Sequence, residues 1–283
     1  MALYTIENDL IKVDVESFGA EIRAITQKDS ERSVMWNGDA AFWKRVSPVL
    51  FPIVGSLKGG EYRHEGMTYA MSQHGFARDS EFLCDIQTAD TLSFVLKDSK
   101  ESRAKYPFAF ELRITYVLFD ATVKVKWEVT NAGDGEMHFA IGGHPAFMLK
   151  PDSFIKFDTD KDIVSGVLQG GVLSGRTKLH GLTDGYLKIT KDLFSEDALI
   201  IEGNQAHEVS LCDSSRKPYL TVKFDAPLFG LWSPSAEAPF VCIEPWYGRC
   251  DRENFAGELK DREYNNTLKA HETFKKEYEI VIG

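Results

Sequence analysis

Positive charge is in short supply in this chain. Its 33 Lys and Arg stand against 43 Asp and Glu, a formal net charge of −10 at pH 7, which disfavours nucleic acid or an anionic membrane as the main partner. Cysteine is scarce too. The four, Cys84, Cys212, Cys242 and Cys250, show no Cys-x-x-Cys spacing, which fits reduced, packed thiols better than a disulfide framework or a zinc ribbon. The longest weakly polar stretch, Phe139 to Leu149, carries His144 and Pro145 and falls far short of the roughly 20 apolar residues of a membrane-spanning helix. The first sixteen residues mix acidic and apolar side chains, without the basic start and apolar run of a secretory signal, so the expected compartment is the cytoplasm. No Gly-x-Gly-x-x-Gly, Walker A, His-Glu-x-x-His, Gly-x-Ser-x-Gly or EF-hand pattern occurs. Dinucleotide, P-loop, zincin and α/β-hydrolase chemistries therefore lose their usual sequence support. Long helices are also missing, because no window of about 12 residues sustains apolar positions at i, i+3, i+4 and i+7.

What the chain has instead is aromatics and alternation. Phe 19, Tyr 10 and Trp 5 make 12% of the residues, a share that suits sheets and apolar ligand platforms. Phe108, Phe110, Leu112, Ile114, Tyr116 and Leu118 alternate with polar or small residues, and Val123, Val125, Trp127 and Val129 alternate with Lys124, Lys126, Glu128 and Thr130. Two such runs joined at Asp120-Ala121 predict a long antiparallel hairpin with one buried face. Period two recurs at Ile11/Val13/Val15, Leu92/Phe94/Leu96, Leu220/Val222/Phe224 and Tyr278/Ile280/Ile282. Helix is expected only in short pieces, at Asp39–Arg45, Ser99–Lys105 and Asp192–Asp197. There is no internal repeat and no Pro/Gly/Ser-rich linker. These signals together predict an all-β protein, a large antiparallel β-sandwich forming one domain over residues 1–283.

Histidine and carboxylate carry whatever chemistry is present. His64, His180, His207 and His271 lie in polar, turn-like settings where a solvated surface role is the default. His74 stands apart: it precedes Gly75, which lets backbone approach a ligand, and Arg78, whose guanidinium can donate a fork of hydrogen bonds; a loop histidine bonded to backbone is the competing account. His144 follows two glycines and precedes Pro145 in an apolar segment, so burial should keep it neutral, with a pKa near or below about 6.5. His138, at an even offset, could share a strand face with it. Glu244 ends the apolar run from Phe240 and is followed by Pro245, Trp246 and Tyr247. Desolvation there should raise its pKa towards that of a useful general base, while the aromatic faces beside it suit the C–H face of a sugar ring. A partly buried Glu244 paired with Arg249 or Arg252 is the structural alternative. His74, His144 and Glu244 are too widely spaced to form a local metal motif, so no metal is expected.

Four segments, taken together and in order, resemble one family: Ser47–Tyr62 with its Phe51-Pro52 pair, Gln73–Arg78, Ile141–Phe147 and Phe240–Gly248. They are similar to the aldose 1-epimerase (galactose mutarotase-like) family over almost the full chain, in particular its shorter LacX-like bacterial branch. The resemblance implies a β-supersandwich and cofactor-free interconversion of the α and β anomers of a small-molecule sugar. Residue by residue, Glu244 matches the general base that takes the anomeric hydroxyl proton, and His144 the general acid that protonates the ring oxygen. His74 matches a histidine that binds near that oxygen. The arginine that usually follows the Phe-Pro pair is replaced by Ser56, leaving Arg45 or Lys58 to supply the charge. Asp197 fits the sugar-binding aspartate better than Asp184. The expected substrate-binding set is thus His74, Arg78, Arg45, Asp197 and Trp246. A hexose 6-phosphate 1-epimerase, drawing on Arg45, Arg78, Arg249 and Arg252, and a sugar-binding module without catalysis are the alternatives.

Overall fold

A computed structural model describes residues 1–283. Strands take 51% of the chain and helix 5%, so the all-β expectation holds. Two large sheets dominate. In spatial order the nine-stranded sheet runs from Tyr186–Lys188 through Phe154–Phe157, Glu208–Cys212 and Pro218–Phe224 to Thr273–Ile282. It continues through Thr122–Asn131, Phe110–Phe119 and Thr91–Lys97 to the edge strand Leu83–Gln87. The eight-stranded sheet runs from Val172–His180 through Ile163–Gln169, Leu199–Glu202 and Leu228–Trp232 to Phe240–Tyr247, then Ile141–Gly143 and Val49–Leu50, with Ala146–Met148 also pairing with Phe240–Tyr247. Pairing between these strands is antiparallel throughout. The amino-terminal residues form a separate four-stranded sheet, Leu3–Glu7 to Arg32–Ser33.

Period-two patterning explains how the two large sheets meet. The hairpin Phe110–Phe119/Thr122–Asn131 turns at Asp120-Ala121, with Leu112 opposite Val129 and Ile114 opposite Trp127. Its alternate residues are buried, as the sequence predicts. They join a cluster of 58 buried residues that also holds Phe229, Leu231, Val241, Ile243 and Tyr247 of the eight-stranded sheet. Trp127 and Tyr247 meet edge to face across the gap, 6.3 Å between centroids. Burial of apolar surface between the sheets is the main stabilising term, about 1.5–3 kcal/mol for each large side chain.

The strand Phe240–Tyr247 is buried on both faces. Val241, Ile243 and Tyr247 face the core between the sheets, and the alternate residues Phe240, Cys242 and Trp246 belong to two smaller clusters on the other side. Glu244, between Cys242 and Trp246 in this alternation, therefore points away from the main core.

Helix is rarer than the sequence suggests. Ser99 starts one α-helix, Lys100–Arg103, through a capping box with Ser102, which agrees with the Ser99–Lys105 expectation. Asp39–Arg45 forms only a turn, in which the N–H groups of Phe42 and Trp43 return to the Asp39 carbonyl. Asp192–Asp197 is a series of i→i+3 turns. Both segments are too short to repay helix nucleation, and Asp39 also spends its side chain on the Ala41 N–H. His180 departs from its surface assignment as well: it is 6% exposed, with Nε2 2.8 Å from Ser165 Oγ. No helix is long and apolar enough to cross a membrane.

Candidate active site

On the outer side of the eight-stranded sheet lies a cavity of about 300 Å³, lined by His74, Arg78, His144, Asp197, Glu244 and Trp246, with Trp43 and Trp232 among its other walls. Its floor comes from the outward face of Phe240–Tyr247. Trp246 spreads across two glycines on the flanking strands: a Cβ on Gly142 would stand 2.5 Å from its Cδ1, and one on Gly230 would stand 2.5 Å from its Cζ2. Gly230 is also the register partner of Glu244. Small residues at these two positions thus let an indole lie along the floor beside the carboxyl.

His144 is carried by the segment leaving Ile141–Gly143, and its N–H donates to the Pro48 carbonyl. Its Nε2 stands 3.3 Å from Glu244 Oε2. Two indoles hold the ring, Trp43 at 4.8 Å between centroids and Trp232 edge-on at 5.6 Å. His74 meets His144 edge to face at 5.6 Å. It adopts a left-handed backbone, φ 66°, in a turn where Gly75 passes so close to Phe51 that a Cβ would fall 2.2 Å from the Phe51 carbonyl oxygen. The Gly55 N–H donates to His74 Nδ1 at 3.1 Å. That bond makes Nδ1 an acceptor, so the proton of the neutral ring sits on Nε2. Backbone bonding and cavity lining, competing accounts of His74 in the sequence, therefore occur together.

Burial governs the protonation of all three groups. Glu244 is 1% exposed and has no cationic partner, since Arg249 pairs with Glu202 and Glu263, and Arg252 with Glu263. Desolvation holds its carboxyl well above the usual carboxylate range; the Trp246 indole opposes this and the Asp197 charge reinforces it. Trp246 does so from outside hydrogen-bond geometry, as its Nε1 and Glu244 Oε2 both lack a partner. His144 is lowered to about 3, by burial first and then by Arg78 and Arg45, with its own backbone opposing. His74 is lowered by burial, His144 and the same two arginines. Burial thus favours the uncharged form of both Glu244 and His144, which stand close enough to exchange one proton.

A buried carboxyl and a buried imidazole facing one small cavity suit proton transfer to and from a bound hydroxyl compound, and comparison with known proteins supplies the family. Residues 2–265 match the sequence model of the aldose 1-epimerase family. The chain belongs to the aldose 1-epimerase family. Within it the relation is to the LacX-like branch: chromosomal LacX of Lactococcus lactis subsp. lactis is 28% identical over 98% of both chains. Among solved structures, a galactose mutarotase related enzyme from Lactobacillus acidophilus superposes with TM-score 0.94 at 37% identity, covering 100% of this chain and 97% of the other. A galactose mutarotase-like protein from Lactobacillus casei gives 0.93 at 29% identity, covering 100% of both. The protein is accordingly an isomerase of the epimerase/mutarotase class.

Against the residues expected of an aldose 1-epimerase, the geometry is selective. His74, Arg78, His144, Asp197, Glu244 and Trp246 all line the cavity. Arg78 is anchored through Nη2 to the Gln73 carbonyl at 2.7 Å, its Nε is buried without a hydrogen-bond partner, 3.9 Å from Asp79 Oδ2, and burial together with Arg45 pushes its pKa down to about 10. Arg45 does not line the cavity: it pairs with Asp79 at 2.6 Å and donates to the Arg78 carbonyl at 3.3 Å, bracing the turn that carries Arg78. Lys58 donates to the Phe255 carbonyl and is equally absent from the walls. Asp184 is 81% exposed and salt-bridged to Arg216, whereas Asp197 lines the cavity, its Oδ1 accepting from the Ala198 N–H. Tyr247 points into the core, which corrects its expected place beside the sugar. His138 is not behind His144, because Met137–Phe139 pairs with Asn266–Leu268 in a different sheet and His138 bonds Thr267. Trp43 and Trp232 were not singled out by the sequence. Trp232 carries a signal, alternating with Gly230 and Leu228 on one face; Trp43 lies in a segment that reads as helix.

Proposed function

We propose that the protein is a mutarotase that interconverts the α and β anomers of an unphosphorylated hexose, with Glu244 as base and His144 as acid. The observation that carries this reading is the 3.3 Å approach of His144 Nε2 to Glu244 Oε2 on the floor of one cavity. Two groups so placed can reach two oxygens bonded to a single carbon.

The productive form holds one proton on the pair, on His144. Glu244 takes the proton of the anomeric hydroxyl, the C1–ring oxygen bond breaks as the C1 carbonyl forms, and His144 delivers its proton to the ring oxygen. One proton remains, now on Glu244. Rotation about C1–C2 presents the other carbonyl face, and the reverse transfers close the ring and return the proton to His144. The Nε2–H of His74 donates to the ring oxygen region and Arg78 Nε to a hydroxyl, while Trp246 offers a flat face to the C–H side of the ring. Sugar hydroxyls replace lost hydration around the pair, which favours moving the proton from Glu244 to His144 on binding.

What favours a neutral sugar is the poverty of free cations. Arg78 is the only arginine or lysine among the cavity walls, and Asp197 opposes a phosphate there. Proton exchange spectroscopy between anomers, run on a panel of free and phosphorylated hexoses, tests both parts. Catalysed exchange is expected for at least one free aldohexose. Exchange only of phosphorylated sugars refutes the substrate class, and tight sugar binding with no exchange on any member refutes catalysis.

A further inference from the structure

One buried group beside the acid–base pair has no part in the proton cycle, and it is not one of the cavity walls. Cys242 stands two residues before Glu244 on the same strand face and is fully buried. Its Sγ, a ring nitrogen of His144 and a carboxylate oxygen of Glu244 all lie within 4.8 Å of one another. The sequence presents Cys242 only as a packed thiol; the fold makes it the third member of a buried His–Cys–Glu set. We propose that this set binds a thiophilic divalent cation of the Zn²⁺ class, and that occupancy blocks the acid–base pair.

Distances, donors and charge support the site. Two nitrogen or oxygen ligands at about 2.0–2.1 Å in a tetrahedral shell stand about 3.3–3.4 Å apart, and His144 Nε2 to Glu244 Oε2 is already 3.3 Å. One tetrahedral edge is therefore preformed. Cys242 Sγ, with a longer bond of about 2.3 Å, would stand about 3.6 Å from the other two ligand atoms and so closes by up to about 1.2 Å from its present separation of at most 4.8 Å. Thiolate, imidazole and carboxylate together select Zn²⁺ or Cd²⁺; Mg²⁺ and Ca²⁺ require more oxygen donors than the set provides. Glu244 Oε2 is buried without a hydrogen-bond partner, leaving a lone pair to be satisfied. Charge also balances in this dry setting: thiolate and carboxylate supply two negative charges for a dication, and the imidazole stays neutral. Binding strips water from the ion and releases to solvent the Cys242 thiol proton and the Glu244 carboxyl proton, with no change of oxidation state. His144 and Glu244 line the cavity, the side from which a fourth ligand would come. His144 Nε2 and the carboxylate are then bound to metal and carry no proton.

The binding claim is independent of the proposed activity; the blocking claim rests on it. The experiment titrates chelator-washed protein with Cd²⁺, following thiolate-to-metal charge-transfer absorption, and measures anomer exchange in parallel with Zn²⁺. The expected result is a band saturating at one equivalent, retained in Cys250→Ala and lost in Cys242→Ala and in His144→Asn. Zn²⁺ should inhibit wild-type exchange and chelator should restore it. Cys242→Ala should keep its basal exchange and need at least about tenfold more Zn²⁺ for inhibition. If Cys242→Ala does not fold, as judged by near-ultraviolet circular dichroism, Cys242→Ser and the His144→Asn band decide. A wild-type protein without a one-equivalent band, or a band that survives in both Cys242 and His144 variants, overturns the site. A saturated band with undiminished exchange overturns the block. Absence of exchange in metal-free wild type refutes the proposed function and leaves the band to decide the site alone.

Discussion

Replacing Glu244 by Gln keeps the shape of a side chain that is 1% exposed and removes its ability to take a proton. Two consequences of opposite sign should follow. As the base of the cycle, Glu244 should contribute about 10²–10⁴-fold to the rate, so Glu244→Gln should lose at least about 10² in kcat with a much smaller change in KM. The same change should stabilise the fold, because wild type buries an acid without a cationic partner. The pH dependence isolates this effect. Below the ordinary carboxylate range, folded and unfolded chains both hold the proton and the variant gains little. As pH rises through that range, the unfolded chain releases the proton while the folded chain, its value raised by burial, retains it. Wild type then loses up to about 1.4 kcal/mol per pH unit until the pH passes the folded value, and the variant does not. At roughly 2 °C per kcal/mol for a chain of this size, the Tm advantage of Glu244→Gln should widen by about 3 °C per pH unit before it levels off. Thermal melts between pH 4 and 8, beside anomer exchange by NMR, read both effects. Near wild-type exchange refutes the base assignment, and a Tm difference that does not vary with pH refutes the desolvated, unpaired carboxyl.

His144→Asn should also lower kcat by about 10² or more, and the double variant with Glu244→Gln should be little slower than either single one, because both transfers belong to one event; an additive loss in exchange assays argues against the pairing. With His144 lowered to about 3, the unfolded chain protonates first as pH falls below about 6.5, so wild type loses stability between those values and His144→Asn should lose less, which acid melts can check. Arg78→Leu removes a charged donor to a bound hydroxyl and should raise KM about 10–100-fold, with kcat less affected; an unchanged KM places Arg78 outside the sugar's reach. Gly75→Ala forces a left-handed φ of 71° and a 2.2 Å approach to the Phe51 carbonyl oxygen, so it should cost at least about 2 kcal/mol in denaturant unfolding; a neutral effect would contradict the close approach.

The parts of this molecule legible in its sequence are those set by local alternation or by chemistry out of place. Phe110–Phe119 and Thr122–Asn131 announce themselves because one face is core and the other solvent. Ser99 announces its short helix through a side chain that caps it. Glu244 was found by contrast, as a carboxyl in an apolar run, since a strand buried on both faces has no period to read. What the sequence did not disclose depends on distant partners. Arg45 and Lys58 look alike as candidate cations until Asp79 and the Phe255 carbonyl claim them. Tyr247 looks as available to a sugar as Trp246, one residue away, until the pairing of Gly142 with Trp246 fixes which face is outward. His138 shares an even offset with His144, yet the chain changes sheets between them, and a face is conserved only along one continuous strand.

Phe240–Tyr247 shows how core and chemistry depend on one another. Val241, Ile243 and Tyr247 hold the strand against the opposite sheet, and a slip of one residue would drive Glu244 into that core, where nothing accepts its charge. The register is therefore specified by the hydrophobic face, and the position of Glu244 is a by-product of that specification. Pro245 restricts Glu244 to extended backbone, and Gly143, tight against Tyr278 and Trp127 of the facing sheet, fixes the segment that delivers His144. Neither His144 nor Glu244 is held by a strong bond to the other: the 3.3 Å contact between them lacks hydrogen-bond alignment. Both are placed by their backbones, which leaves their polar atoms unsatisfied until a ligand with hydroxyl groups arrives. A pair locked in its own ion bridge would be more stable and would have to break that bridge before moving a proton to sugar. The unpaired arrangement weakens the fold around Glu244 and keeps the pair ready to react.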